Sequence, residues 1–206
     1  MTDELLKIFD ENRKELGVAP RSDVHRFGYW HDTFHCWFTT RIEDVVYIYL
    51  QLRSENKEDY PNLLDITAAG HLTNDETVED GIREIEEEVG IPVSYTDLEK
   101  LTTIKYSVEK NEFIDNEFAH VYLYHCTQNL DDFSVQEDEV AGIVLANFEE
   151  FSQLWFGERE SLNIKGFKMN KYGNRESYDE IVGKEKFVPH PISFYEEVIR
   201  RIKRKI

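Results

Sequence analysis

Residues 70–91, near the middle of the chain, constrain the fold of this protein more than any other segment. A short apolar run ends at Gly70 and a polar loop follows it. Thr77 and Asp80 then resemble a capping box, which opens a helix, and Gly90 closes that helix. The helix carries an apolar stripe at helical spacing, formed by Val78, Ile82, Ile85 and Val89. The segment therefore predicts a strand, a loop and an amphipathic helix that packs on a core.

The same helix carries three glutamates on a second face. Glu84, Glu87 and Glu88 are related by i, i+3 and i+4, so their side chains lie together. A solvated acidic surface usually includes Lys or Arg residues that offset the charge. Residues 84–90 contain neither. Clustered carboxylates repel one another, and their oxygens are the ligands that Mg²⁺ and Mn²⁺ prefer. The pattern favours a divalent-metal site over a merely solvated helix face.

The charge of the chain excludes some classes of partner. The 24 Lys and Arg residues against 42 Asp and Glu residues give a net charge of −18. A field of that sign repels phosphate backbones and anionic lipids, so we expect no nucleic-acid and no membrane partner. Residues 1–4 lack the pattern of a signal peptide, which indicates a cytoplasmic protein. Cys36 and Cys126 lie among apolar residues and are expected to be reduced core residues.

Short runs rich in aromatic and β-branched residues predict a sheet. Strands are expected over 5–9, 34–39, 45–52, 101–108, 119–126 and 141–146. Helices are expected at 148–155 and after a second capping box, Ser193 to Glu196, whereas 156–191 has no clear pattern. Strands mixed with a few helices predict an α/β (α+β) sandwich. The length of 206 residues fits a single domain, 1–206, with a C-terminal helical extension over about 150–206.

The segment resembles the Nudix box, G-x5-E-x7-R-E-U-x-E-E-x-G-U, in which U is a bulky apolar residue. The matching residues are Gly70, Glu76, Arg83, Glu84, Ile85, Glu87, Glu88, Gly90 and Ile91. This resemblance to the Nudix (MutT-like) hydrolases implies the Nudix fold, an α/β/α sandwich with a mixed, curved β-sheet between helices. One spacing departs from the pattern, because six residues separate Glu76 from Arg83 where the family has seven. Either this link is one residue shorter, or Asp75 takes the role of Glu76.

The resemblance implies a metal-dependent hydrolase that cleaves a diphosphate linkage in a nucleoside diphosphate derivative or similar small molecule. Mg²⁺ or Mn²⁺ would be bound by Glu84, Glu87 and Glu88, and water would attack phosphorus. Glu87 is the first candidate for the base that accepts the proton of that water, and Glu139, on a later loop, is the second. Arg83 would orient a helix glutamate.

The resemblance also implies residues on the substrate side of the site. Gly70 would let the backbone approach the metal or the diphosphate, and Glu76 would support the loop. Arg53, at the end of a predicted strand, resembles an arginine that contacts phosphate, although it is equally an ordinary surface residue. The partner is then a small diphosphate compound. Many relatives dimerise, so a homodimer is a further expectation.

The N-terminal half further resembles type I isopentenyl-diphosphate isomerases. The similarity lies in the histidine-containing stretches 24–26, 30–31 and 34–35, and in the Asp-Asn-Glu segment 115–117. A metal site of those isomerases matches His25, His31 or His35, and His71, although we interpret all four as core histidines rather than ligands. Ala69 stands where the isomerase needs a cysteine, which favours hydrolysis over isomerisation. A non-catalytic diphosphate sensor is a third alternative.

Overall fold

A large β-sheet organises the computed structural model, which describes residues 4–57, 59–110 and 113–206. Its strands are β1 (Leu5–Phe9), β2 (Glu15–Pro20), β3 (Trp30–Ile42), β4 (Val45–Arg53), β5 (Leu64–Asp65), β6 (Ala68–His71), β7 (Leu98–Lys110), β8 (Phe113–His125), β9 (Val140–Asn147), β10 (Leu162–Met169) and β11 (Arg175–Val182). The α-helices are α1 (Arg21–Phe27), α2 (Arg83–Val89), α3 (Phe148–Trp155) and α4 (Ile192–Ile202). The prediction that the chain has no signal peptide depends on residues 1–4, and residues 1–3 lie outside the described part of the chain.

The long strand β3 is the centre of the sheet. The main path runs β11-β10-β9-β4-β3-β1-β2, and β3 pairs in addition with β6 and β8. The pairing of β3 with β8 is parallel, and the other strand pairs in the described part of the chain are antiparallel. The expected mixed sheet is therefore confirmed, and β3 brings β6, the strand before the glutamate helix, into its middle.

Helices cover both faces of this sheet, as a sandwich requires. On one face α3 and α4 pack over a core that includes Trp37, and the rings of Trp155 and Tyr195 stack at 3.5 Å. On the other face α2 buries Ile85 and Val89 completely. Burial of such a side chain contributes about 1.5–3 kcal/mol, so the apolar stripe holds the glutamate helix against the sheet.

The glutamate helix begins with a 3₁₀ turn, which is tighter than the α-helical turn that the sequence predicts. The carboxylate of Asp80 accepts hydrogen bonds from the backbone and hydroxyl of Thr77 at 2.8 and 2.7 Å. A 3₁₀ turn, Asp80–Ile82, follows and leads directly into α2. At the other end Gly90 adopts φ 69°, the left-handed conformation that favours glycine, and closes the helix.

The expected helical extension over about 150–206 is wrong in its middle. Residues 162–182 form the β10–β11 hairpin, and β10 pairs with β9, so this region extends the sheet. The polar edge strand β11 has exposed side chains at most positions, and it therefore lacks the apolar alternation that marks a half-buried strand. The Ser193 capping box is also wrong, because α4 starts after Pro191 and no side chain caps it.

The remaining predicted strands and helices are present, although β3 begins at Trp30 and β8 at Phe113, before the predicted 34 and 119. Cys36 and Cys126 are free and buried, as expected. Among the described residues, none of the helices combines the length and the apolar character that crossing a bilayer needs.

Candidate active site

Seven of the eight residues predicted to act at the site line one cavity of about 310 Å³. They are Arg53, Gly70, Arg83, Glu84, Glu87, Glu88 and Glu139. Among the described residues, nine carboxylate side chains line the cavity against four Arg and Lys side chains, so it carries negative charge. An anionic substrate can occupy such a cavity only when added cations offset that charge.

The buried Glu88 and the partly buried Glu84 of α2 form the carboxylate centre of the cavity. Glu88 is 6% exposed and accepts hydrogen bonds from the Ala69 backbone at 2.9 Å and from Gln51 Nε2 at 3.2 Å. Burial, with the charge of Glu84 added, raises the pKa of Glu88 to about 8. Burial likewise raises the pKa of Glu84 to about 7. The carboxylate oxygens of these two side chains are hard ligands of the kind that a divalent cation prefers.

Gly70 leaves room for this carboxylate centre. A methyl group built on its Cα would overlap the carboxyl group of Glu84. The glycine at this position of β6 is therefore required by the close approach of the helix side chain to the strand backbone.

Arg83 connects the glutamates and the preceding loop. Its guanidinium contacts both carboxylate oxygens of Glu76, and it also lies 2.7 Å from Glu84 and 2.9 Å from Glu87. Glu76 in turn accepts the backbone N–H of Thr73 at 2.7 Å. Glu76 thus contacts Arg83 in spite of the short spacing. Asp75 hydrogen-bonds Asn74 instead, so Glu76 supports the loop from behind Arg83 and is not in the cavity lining.

Both candidates for the base reach the cavity. The side chain of Glu87 is 54% exposed and contacts Arg83. Glu139 lies in the loop before β9 and pairs with Lys57. This loop is attached to α2, because the backbone N–H of Gln136 donates to the carbonyl of Glu88 at 3.1 Å. The attachment explains how a residue 51 positions beyond Glu88 in the chain joins the same site.

Arg53 lines the cavity, but its guanidinium is occupied by the protein. Nη1 donates to Asp65 at 3.0 Å, Nη2 donates to the carbonyl of Asp59 at 2.7 Å, and Nε is shared between the carbonyls of Asp59 and Tyr60. These bonds use three of the five N–H groups of Arg53 and tie it to the wall formed by β4 and β5. The contact with phosphate stays a prediction.

A histidine cluster forms a second group of potential metal ligands at the same cavity. His25, His31 and His71 bring ligand atoms within 4.8 Å of one another, and His31 is grouped in the same way with Asp115 and Glu117. Nε2 of His31, Nε2 of His71 and Oδ1 of Asp115 are buried without a hydrogen-bond partner among the described residues. His25 and His31 are buried, as core histidines are, but within the described part of the chain Nε2 of His31 and Nε2 of His71 lack the hydrogen bond that a satisfied core histidine would have.

Hydrogen bonds orient two of these rings. Nδ1 of His25 donates to the carbonyl of Arg21 at 2.9 Å, and Nδ1 of His31 donates to that of Tyr29 at 3.1 Å. Each bond leaves Nε2 unprotonated in the neutral ring, as metal ligation requires. Burial lowers the pKa of His31 and of His71, which keeps both rings neutral. Three imidazoles with carboxylates fit a transition-metal ion.

Sequence reasoning missed three residues that the tertiary structure adds to the site. Gln51 donates a hydrogen bond to Glu88, while Asp65 and His190, both in the cavity lining, are in hydrogen-bond contact at 3.1 Å. His190 comes from the 156–191 region that showed no pattern. No spacing rule connects residues this far apart in the chain.

Comparison with known proteins identifies the family. The NUDIX domain pattern matches residues 47–164. Across 98% of both chains, the protein is 35% identical to an uncharacterized Nudix hydrolase of Clostridium acetobutylicum. The chain therefore belongs to the Nudix hydrolase family, which implies hydrolysis of nucleoside diphosphate derivatives. Such hydrolases typically use divalent metal ions.

Two further matches agree with the resemblance to isopentenyl-diphosphate isomerases and with the Nudix fold. The chain is 28% identical over 144 residues to an isopentenyl-diphosphate Delta-isomerase of Mycolicibacterium vanbaalenii, covering 68% of this chain and 75% of that one. It is similar in structure to a MutT protein of Methanosarcina mazei, with a TM-score of 0.53 and 15% identity, covering 85% of this chain and 95% of the other. The Nudix fold and the resemblance to both hydrolases and isomerases are thereby confirmed.

Proposed function

We propose that this protein is a metal-dependent diphosphohydrolase that cleaves the P–O–P link of a nucleoside diphosphate derivative or similar small molecule. The observation that carries the proposal is the pair Glu84 and Glu88 in the cavity wall: Glu84 lies against Gly70, the buried Glu88 lies against the Ala69 backbone, and both carboxyl groups have raised pKa values. We assign Glu84, Glu87 and Glu88 as ligands of Mg²⁺ or Mn²⁺. A cation there would neutralise diphosphate oxygens and acidify a bound water.

The chain's own residues then complete the reaction. Glu87, at the mouth of the cavity, accepts a proton from the attacking water, with Glu139 as the second candidate. The water oxygen bonds to one phosphorus, and the bridging oxygen leaves with the other phosphate. Arg83 keeps Glu87 and Glu84 in position through its contacts at 2.9 and 2.7 Å. Gly70 lets the strand backbone lie against the carboxylates.

A second candidate function, isomerisation of an isoprenoid diphosphate, is favoured by the histidine cluster. His25, His31 and His71 lie together with unpaired nitrogens at two of the three rings, and isomerases occur among the relatives. Ala69 weighs against this function, because its methyl group offers no proton to carbon. The hydrolase is therefore the first proposal.

The test is a phosphate-release screen against a panel of diphosphate compounds in Mg²⁺ or Mn²⁺, with a coupled phosphatase. Wild type is assayed beside Glu87→Gln and Glu88→Gln, and isopentenyl diphosphate is included with analysis of its products. Glu86→Gln is the matched control, because Glu86 lies in the same run of glutamates but is exposed and outside the cavity lining. We expect metal-dependent turnover that falls by about 100-fold or more in the two site variants and is unchanged in the control.

The other outcomes separate the alternatives. Isomerised isopentenyl diphosphate with no phosphate release from any compound would support the second candidate. Binding of diphosphates without any turnover would support a sensor. Equal loss in Glu86→Gln and Glu88→Gln would show that the charge of the helix, rather than the cavity, controls activity.

A further inference from the structure

His190 enters the cavity from a part of the chain far from the Nudix box. The backbone of Val188 donates to the carbonyl of Leu64 at 2.9 Å, and Phe187 forms a parallel bridge with Leu64. The residues after β11 thus add to the edge of β5. The hydroxyl of Tyr195 in α4 donates to the carbonyl of Val188 at 2.7 Å and holds this segment from the other side. The C-terminal region therefore delivers one imidazole to the site.

A buried carboxylate holds the imidazole by one nitrogen. His190 Nε2 lies 3.1 Å from Oδ1 of Asp65, which also accepts the backbone N–H of Ile66 at 2.8 Å. Burial raises the pKa of Asp65, but the hydrogen bond and charge of His190 and the charge of Arg53 outweigh it and lower this pKa to about 2. Asp65 is therefore an anion that only accepts, so Nε2 is the donor.

The second ring nitrogen of His190 is not used by the protein. No side chain or backbone group in the described residues hydrogen-bonds to Nδ1. The ring itself is fixed, since it packs on Phe194 with centroids 4.8 Å apart and on Tyr106 at 5.6 Å. A ring held by Nε2 and by two aromatic neighbours presents Nδ1 in one orientation.

The pair lies beside the carboxylate centre. Asp65 in β5 is directly opposite Gln51 in β4, so the two side chains are on the same face of the sheet. Gln51 donates to Glu88 at 3.2 Å, which connects this position to the centre. The cationic side chains Arg53 and Lys57 in the same wall are already paired with Asp65 and Glu139. His190 adds a ring nitrogen, Nδ1, that has no hydrogen-bond partner among the described residues.

We propose that His190 is a substrate-binding residue that acts as an imidazolium: its Nε2 donates to Asp65, and its Nδ1 donates a hydrogen bond to an anionic oxygen of the diphosphate. This inference rests on the proposed function, because it assigns the substrate of that same cavity a direct contact outside the Nudix box. The C-terminal region then takes part in substrate binding as well as in packing α4.

Substitutions of His190 by side chains of different length test which ring nitrogen binds the diphosphate. In His190→Asn the amide falls near the position of Nδ1, and in His190→Gln it falls near Nε2. The probe is methylenediphosphonate, a diphosphate analogue with a carbon bridge, titrated by calorimetry in the presence of Mg²⁺. We expect His190→Ala and His190→Gln to bind it about 10-fold or more weakly, as loss of a charge-assisted hydrogen bond implies, and His190→Asn to recover part of the affinity.

Controls keep the outcomes distinct. His125→Gln removes a half-exposed histidine that pairs with Glu99 outside the cavity lining, and it should leave the affinity unchanged. Thermal melting of each variant reports whether the fold is retained. Wild-type affinity in His190→Gln, or in all three variants, would overturn the substrate contact and leave the proposed hydrolase intact. Failure of wild type both to bind the analogue and to hydrolyse any panel member would overturn both proposals.

Discussion

The metal-free protein should lose stability as pH rises, and Glu88 should be a main cause. The usual pKa of a glutamate, 4.5, rises to about 8 at Glu88 because the carboxyl group is buried and faces Glu84. Between these two values the folded protein binds more protons than the unfolded chain. The free energy of unfolding therefore decreases with rising pH, by up to about 1.4 kcal/mol per pH unit for this one group.

Glu88→Gln removes this dependence and keeps the shape of the site. The amide oxygen of Gln can still accept from the Ala69 backbone and from Gln51. Between about pH 5.5 and about pH 7.5, metal-free wild type should lose roughly 2–3 kcal/mol more stability than the variant. Glu84, whose pKa is about 7, titrates in both proteins and largely cancels in the comparison.

The measurement is urea unfolding of both proteins after chelation, at a series of pH values. Addition of Mg²⁺ or Mn²⁺ should then stabilise wild type more as pH rises, because the cation replaces the protons, and should stabilise Glu88→Gln less. Parallel stability curves for the two metal-free proteins would refute the reasoning, since they would mean that Glu88 is ionised in the folded state at no cost.

Other perturbations follow from the same geometry. Gly70→Ala should reduce turnover by about 100-fold in a steady-state assay, because its methyl group displaces the Glu84 carboxyl group; unchanged kinetics would contradict the close approach. Arg83→Ala should weaken Mg²⁺ binding by about 10- to 100-fold in a calorimetric titration, since it orients the ligands, and an unchanged affinity would contradict that role. Tyr195→Phe loses the hydrogen bond to Val188, and its free energy of unfolding should fall by about 1 kcal/mol in chemical denaturation. Phe194→Tyr is not a suitable control, because the ring of Phe194 packs on His190.

Much of the fold follows from local pattern. The strands β3 and β4 carry dense aromatic and β-branched residues, and their hairpin is visible in the sequence. The hairpin of β10 and β11 is not visible, because β11 is a polar edge strand that buries few side chains. The sequence pattern also places the start of α4 too late, at the Ser193 capping box. Ser193 has the type of a capping residue, but Pro191 precedes it and already sets the chain direction at the helix start.

The sequence by itself determined the carboxylate helix of the site. Glu84, Glu87 and Glu88 share one helix face because helical periodicity is local, Arg83 is next to Glu84, and Gly70 belongs to the same short motif. The burial that raises the pKa of Glu84 and Glu88 is decided by packing of α2 on the sheet, which no local spacing encodes.

Only the tertiary structure decided which distant residues join this helix. Parallel pairing of β3 with β8 brings the 115–117 segment to the histidines of the N-terminal half. The C-terminal segment pairs with β5 and brings His190 to Asp65, 125 residues away in the chain. The tertiary structure also places Arg53 against Asp65, 12 positions further along the chain. The physical reason is that sheet pairing joins residues by register across strands, and register is set by the packing of the whole core.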